Sequence, residues 1–215
     1  MPKNNIKLLL FDLGGVIINL YPEKTFHAFS EIADLPKNKI MAAYEDAAYF
    51  KLHEKGLLKN DVFRDKLRSA LNFVTDDTTL DSAWNAMLGD IPNERINQIR
   101  ELKKQYKCMV LSNTNAIHER AFHQILQKAH AYKHLNELFD KVFFSHELNE
   151  RKPNIKIYKD VIARCGFKAE EILFLDDSIV NTDAAERAGM QSLLIKRNGG
   201  FADLLRQKLK SLRHD

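Results

Sequence analysis

Five short apolar runs recur along the chain, at residues 7–11, 108–111, 142–144, 172–175 and 192–195. Each is too short for a buried helix, and each reads as a strand buried on both faces. Helical patterns stand between them at 92–106, with proline at its start, at 116–128, at 154–165 closed by Gly166, and at 179–188 closed by Gly189. Strands alternating with helices predict an α/β fold, a doubly wound and mainly parallel five-stranded sheet.

The stretch between the first two runs breaks this rhythm. It contains no convincing strand, and residues 23–33, 37–55, 61–72 and 77–88 all read as amphipathic helices. The division expected is an α/β core formed by residues 1–20 and 91–215, with residues 21–90 inserted as a helical cap. Because the insertion follows the first strand directly, it is expected to lie over the carboxyl ends of the strands, where open α/β sheets bind ligands. A chain of 215 residues with 45% hydrophobic content is long and apolar enough to fill such a core.

The runs end in reactive side chains. The first ends in Asp12 of LLLFDLGGVIINL, the second in Ser112 of VLSNTN and the fourth in Asp176 and Asp177 of FLDDSIVNT, while Arg151 and Lys152 of ERKPNIKIY follow the third. Parallel strands point the same way, so these groups are expected to converge on one edge of the sheet. Three carboxylates, a hydroxyl and an ammonium together can bind a phosphoryl group and a hard divalent cation such as Mg²⁺. Clustered carboxylates raise one another's proton affinity unless a cation holds them ionised. A carboxylate so placed can attack phosphorus, with Ser112 and Lys152 neutralising and orienting the phosphoryl oxygens.

Taken singly, each residue has a plainer explanation. Asp12 before Gly14 and Gly15 can start a turn, Ser112 can cap a helix, Lys152 before Pro153 can be exposed, and Asp176 and Asp177 can cap the next helix. Capping does not readily explain all four at successive strand ends in this order.

With these motifs in order, the chain resembles the haloacid dehalogenase-like hydrolase superfamily, in the subgroup with a helical cap after the first strand. FDLGGV, LSNTN, RKPNIKIY and FLDDSIVN match its four motifs, and SNTNAIH, ERKPNIKIY and FLDDSIVNTDAAERAG are similar to stretches of bacterial sugar-phosphate phosphatases acting on glucose-1-phosphate and related compounds. The resemblance implies Asp12 as nucleophile, working through an aspartyl-phosphate. It implies Mg²⁺ held by Asp12, the Gly14 carbonyl and Asp177, with Asp176 supporting or joining them, and phosphate bound by Ser112, Asn113 and Lys152. One position departs from the family pattern. Most phosphatases of the superfamily carry a second Asp two residues after the nucleophile as general acid and base, and here that position is Gly14. Haloacid dehalogenases also lack that Asp but work without metal, so a metal-independent 2-haloacid dehalogenase is one alternative, and a noncatalytic relative that binds phosphate ligands or protein partners is another. The Asp176 and Asp177 pair favours the metal-using branch.

The remaining signals are weaker. Asn115 and His118 follow the second motif closely enough to reach a substrate, and a surface or packing role for His118 stays equally open. Glu54, Lys55 and Gly56 fall between two insertion helices, where the turn either reaches into the site or simply ends a helix at glycine. His130 and His134 have the i, i+4 spacing of metal ligands but read as a solvated helix face. Cys108 and Cys165 read as buried, reduced thiols. Lys and Arg exceed Asp and Glu by only four and are scattered, which argues against nucleic acid and for a small anionic substrate, and the resemblance implies that this partner is a small phosphorylated metabolite. The stretch MPKNNIK and the brief apolar run after it read as neither signal peptide nor membrane span. A cytoplasmic protein, monomeric or a weak homodimer, is the expectation.

Overall fold

The computed structural model describes residues 5–45 and 48–214; residues 1–4 of MPKNNIK, residues 46–47 and residue 215 lie outside the described residues. Five strands, β1 (Leu8–Phe11), β2 (Lys107–Ser112), β3 (Lys141–Phe144), β4 (Ile172–Asp176) and β5 (Gln191–Leu194), form one parallel sheet in the order β3-β2-β1-β4-β5. The first strand is therefore central, and Asp12 leaves its carboxyl end between the ends of β2 and β4. Alternation along β1 explains the two layers of core. Leu9 and Phe11 pack with Val110, Phe122 and Leu205 on one face, while Leu8 and Leu10 pack with Met109, Ile157 and Phe174 on the other.

Five helices separate β1 from the next part of the core: α1 (Pro22–Ala33), α2 (Lys37–Glu45), α3 (Ala48–Glu54), α4 (Asn60–Leu71) and α5 (Asp77–Asn85). They bury their apolar faces in a cluster of their own, built on Phe29, Phe50, Phe63, Leu67, Leu80 and Trp84, which Ile117 joins from outside the insertion. The helix expected over 37–55 corresponds to α2 and α3, which stand on either side of residues 46–47. Proline opens α1, where a missing N–H costs nothing.

The core helices are α6 (Asn93–Leu102), α7 (Ala116–His130), α8 (Ser145–Leu148), α9 (Ile155–Cys165), α10 (Ile179–Arg187) and α11 (Ala202–His214). Helix α9 stops at Gly166, whose φ of 83° is the left-handed conformation glycine adopts without strain. Helix α7 ends at His130, with Ala131 at φ 61°, so His130 and His134 do not share a helix face as expected. His130 Nε2 lies 2.7 Å from the Ile91 carbonyl oxygen. Both cysteines are free and buried. Among the described residues no helix is long and apolar enough to cross a membrane.

Candidate active site

The end of β1 is where burial and charge meet. Lys152 is 1% exposed, and its ammonium donates to Asp12 Oδ1 at 2.7 Å and to Asp176 Oδ2 at 2.6 Å. Carboxylate oxygens of Asp12, Asp176 and Asp177 lie within 4.8 Å of one another. The sheet accounts for this convergence, since β1 and β4 are adjacent and parallel and release Asp12, Asp176 and Asp177 at the same edge. Lys152 is brought in by the segment that follows α8. The Asn113 carboxamide fastens it there, accepting from the Lys152 N–H and donating to the Lys152 carbonyl, both at 2.9 Å. The Lys152–Pro153 peptide is cis.

The electrostatics follow from this packing. Burial pushes the Asp12 carboxyl up to about 7; Lys152 opposes the rise, and Asp176 and Asp177 add to it. Burial alone would depress the Lys152 ammonium, but Asp12 and Asp176 more than reverse it and hold the group above its usual range. Asp176 is fully buried, and both of its oxygens accept hydrogen bonds, from Lys152, the Ser178 N–H and the Asn181 carboxamide. It acts here as a brace for the lysine. Asp177 pairs with the Arg197 guanidinium, and sequence reasoning missed this partner because it arrives from the turn after β5.

Both glycines of the first motif are constrained, each differently. Gly15 has φ 80°, and a Cβ there would come within 2.7 Å of Asp177 Oδ2. Gly14 has no such backbone requirement, but a Cβ on it would lie 3.2 Å from Leu20 Cδ2. The loop carrying them is clamped by Asn198, whose N–H donates to the Gly15 carbonyl and whose side chain bonds both the N–H and the carbonyl of Leu20.

A cavity of about 320 Å³ opens between this edge and the insertion. Leu13, Gly14, Ser112 and Asn113 line it from the core, and Phe26, Tyr44, Glu54, Trp84 and Met87 line it from the insertion. Of the residues singled out in the sequence, Asp12, Lys152, Asp176 and Asp177 form one cluster, while Ser112, Asn113 and His118 reach the cavity. Asn115 instead caps α7, accepting from the N–H groups of Ile117 and His118, so the capping role considered for Ser112 belongs to Asn115. His118 is stacked on Trp84, and its Nδ1 lies 2.8 Å from Asn85 Oδ1. The turn at 54–56 does reach the site: Glu54 lines the cavity and accepts from Arg151 Nε at 2.7 Å.

Residues 6–189 match the family model described as haloacid dehalogenase-like hydrolase. A D-ribitol-5-phosphate phosphatase of Bacteroides thetaiotaomicron is 26% identical over 187 residues, covering 87% of this chain and 90% of that one. A sesquiterpene phosphatase of Aspergillus oryzae is 26% identical over 190 residues, covering 87% and 88%. Among solved structures, a HAD family enzyme of Bacteroides thetaiotaomicron in complex with magnesium and inorganic phosphate superposes with a TM-score of 0.84 at 32% identity, covering 94% of this chain and all of that one.

Proposed function

The chain belongs to the haloacid dehalogenase-like hydrolases, and from that membership we propose that it is a cytoplasmic, Mg²⁺-dependent phosphatase of a small phosphorylated metabolite, a sugar or sugar-alcohol phosphate. The observation that carries this reading is the buried Lys152 bridging Asp12 and Asp176 beside Asp177, next to a cavity of small-molecule size. The relative named for a sugar-alcohol phosphate and the structure solved with magnesium and phosphate support it.

The residues fit a divalent cation. Three carboxylates converge on the Lys152 ammonium, and burial, with Asp176 and Asp177 adding to it, raises the Asp12 proton affinity, an effect that a bound cation would offset. Asp12, Asp177 and the Gly14 carbonyl would hold Mg²⁺, with Asp176 behind them; when bound, the ion neutralises phosphoryl oxygens and helps place the phosphorus.

The chain's own groups then do the rest. The Asp12 carboxylate attacks phosphorus as the bond to the leaving oxygen breaks, which leaves an acyl phosphate on Asp12. The Lys152 ammonium and the Ser112 hydroxyl orient and partly neutralise the phosphoryl oxygens. Asn113 keeps Lys152 in place from its backbone side. Water cleaves the acyl phosphate and frees Asp12 for another cycle. Trp84, Phe26 and Met87 exclude bulk water from the cavity and offer apolar faces to the carbon skeleton of the substrate.

Phosphate release measured over a panel of phosphorylated sugars, sugar alcohols, nucleotides and cofactors tests this reading. With Mg²⁺ the sugar and sugar-alcohol phosphates should lead, and chelator should silence the reaction. Silence across the whole panel with Mg²⁺ present would remove the reading, and halide release from 2-haloacids in chelator would replace it with the dehalogenase one.

A further inference from the structure

The phosphatase reading leaves a proton unassigned. An alkoxide leaves phosphorus poorly unless it is protonated as it departs, and the water that cleaves the acyl phosphate must give a proton up. At the position where the family pattern usually carries the acid, this chain has Gly14, and Leu20 crowds the space a side chain there would need. The proton carrier therefore has to come from elsewhere on the cavity wall.

Three ionisable side chains line that wall among the described residues: Tyr44, Glu54 and His118. His118 Nδ1 faces the side-chain oxygen Oδ1 of Asn85, an acceptor that calls for the proton on Nδ1 and so leaves Nε2 as a lone pair. Burial among apolar groups, with His53 adding to the effect, lowers His118 to about 3, so at neutral pH it has no second proton to give. Burial holds the Tyr44 phenol above its usual value, and Glu54 adds to that rise. Glu54 is the one carboxyl of the three.

The core holds the turn that carries this carboxyl firmly. The Ser145 hydroxyl donates to the Glu54 carbonyl at 2.6 Å, the Asn149 carboxamide donates to the Lys55 carbonyl at 3.0 Å, and Lys55 pairs with Glu150 at 2.8 Å. Gly56 packs so closely on the His146 carbonyl that a Cβ would lie 2.1 Å from its oxygen. The groups acting on the carboxyl are Arg151, in direct contact, Lys152 and Lys51 at longer range, and Tyr44 across the cavity. Burial is the largest influence and raises its proton affinity, and the three cations oppose it without cancelling it.

We propose that Glu54, carried in by the insertion, is the general acid and base of this enzyme in place of the missing aspartate. As Asp12 bonds to phosphorus and the bond to the leaving oxygen breaks, the Glu54 carboxyl gives its proton to that oxygen, which departs as an alcohol. The Glu54 carboxylate, steadied by Arg151, then takes a proton from the water that attacks the acyl phosphate. Inorganic phosphate leaves, Asp12 returns as carboxylate and Glu54 as acid.

The test compares Glu54→Gln, Glu54→Asp and wild type in single turnover on two esters with Mg²⁺. One is p-nitrophenyl phosphate, whose leaving group needs no acid, and the other is glycerol 3-phosphate, whose leaving group does. In Glu54→Gln the ratio of the first rate to the second should rise by about 10²- to 10⁴-fold. The wild-type rate on glycerol 3-phosphate should decline on the alkaline side, a limb the glutamine variant lacks, and Glu54→Asp should restore part of the ratio. Circular dichroism reports whether each variant is folded. An equal loss on both esters, expressed in KM, would make Glu54 a fastening for the insertion and overturn the proposal, as would no loss at all. A wild type inert toward both esters would instead remove the phosphatase reading itself.

Discussion

Replacing Lys152 by methionine removes an ammonium that is 1% exposed and touches Asp12 at 2.7 Å and Asp176 at 2.6 Å. Methionine is unbranched and adaptable enough to refill much of the space, so the loss is chiefly one of charge. Breaking a buried ion pair from one side costs about 3–5 kcal/mol, because the charge left behind stays desolvated without its partner. Two carboxylates are stranded here, which places the expectation at the upper part of that range. For a chain of this size such a cost lowers Tm by about 6–20 °C.

The sign of the pH dependence follows from the direction of the shift. Burial already pushes the Asp12 carboxyl up to about 7, above its unfolded value, and without Lys152 its proton affinity rises further. The folded variant then binds more protons than the unfolded chain across neutral pH, so its stability falls as pH rises. The wild type keeps the Lys152 contribution wherever that lysine is charged, and its advantage should widen between about pH 5 and about pH 8. Urea denaturation followed by far-UV circular dichroism in chelator, at both pH values, measures it. A deficit under about 1 kcal/mol at the higher pH, or the same deficit at both, would refute this account of the cluster.

Asp12→Asn should retain a cooperative fold by calorimetry yet release no phosphate, because an amide cannot form the acyl phosphate; measurable turnover would end the nucleophile assignment. Asp177→Ala should raise the Mg²⁺ concentration needed for half-maximal binding in titration calorimetry by at least about tenfold, and an unchanged isotherm would take Asp177 out of the metal site. Gly15→Ala forces a side chain into φ 80° and toward Asp177 Oδ2, so it should cost about 1–2 kcal/mol in denaturant titration and weaken Mg²⁺ binding as well. Burial pushes the Cys108 thiol up to about 12, so alkylation by iodoacetamide in mildly alkaline buffer should follow global unfolding, and rapid labelling of the native protein would contradict its packing.

The sheet was legible because its strands announce themselves. All five apolar runs are strands within a residue at either end, and parallel pairing carried Asp12, Asp176 and Asp177 to one edge as their positions predict. Helix α11 was missed, although Phe201, Leu205, Leu209 and Leu212 mark one helical face. What could not be read were partners fixed by the packing of the insertion on the core. His118 was open to a packing role because its neighbours Asn85 and Trp84 are more than thirty residues earlier in the chain, on or beside α5. The Glu54–Arg151 pair is of the same kind, and the Asp177–Arg197 pair, although it lies within the core, was equally hidden, since nothing in local spacing says which guanidinium meets which carboxylate. The glycines of the first motif also read alike in sequence, and only three-dimensional crowding separates Gly15, which needs its backbone freedom, from Gly14, which makes room for Leu20.

The sheet order β3-β2-β1-β4-β5 puts the earliest strand to be synthesised at its centre. Leu8 pairs with Lys107 on one side and with Ile172 on the other. At ribosomal speeds of about 5–20 residues per second, the β4 side of β1 stays bare for about 10–30 s after the strand is made. That strand is LLLF, four consecutive buried apolar residues with an unpaired edge, the kind of surface that recruits other chains. Vectorial synthesis thus exposes the nascent polypeptide at the very segment that leads into Asp12, and no chain released before residue 177 contains the whole acidic cluster. Expression yield should accordingly depend on elongation rate and on chaperones that shield nascent chains, more than the stability of the finished sheet would suggest.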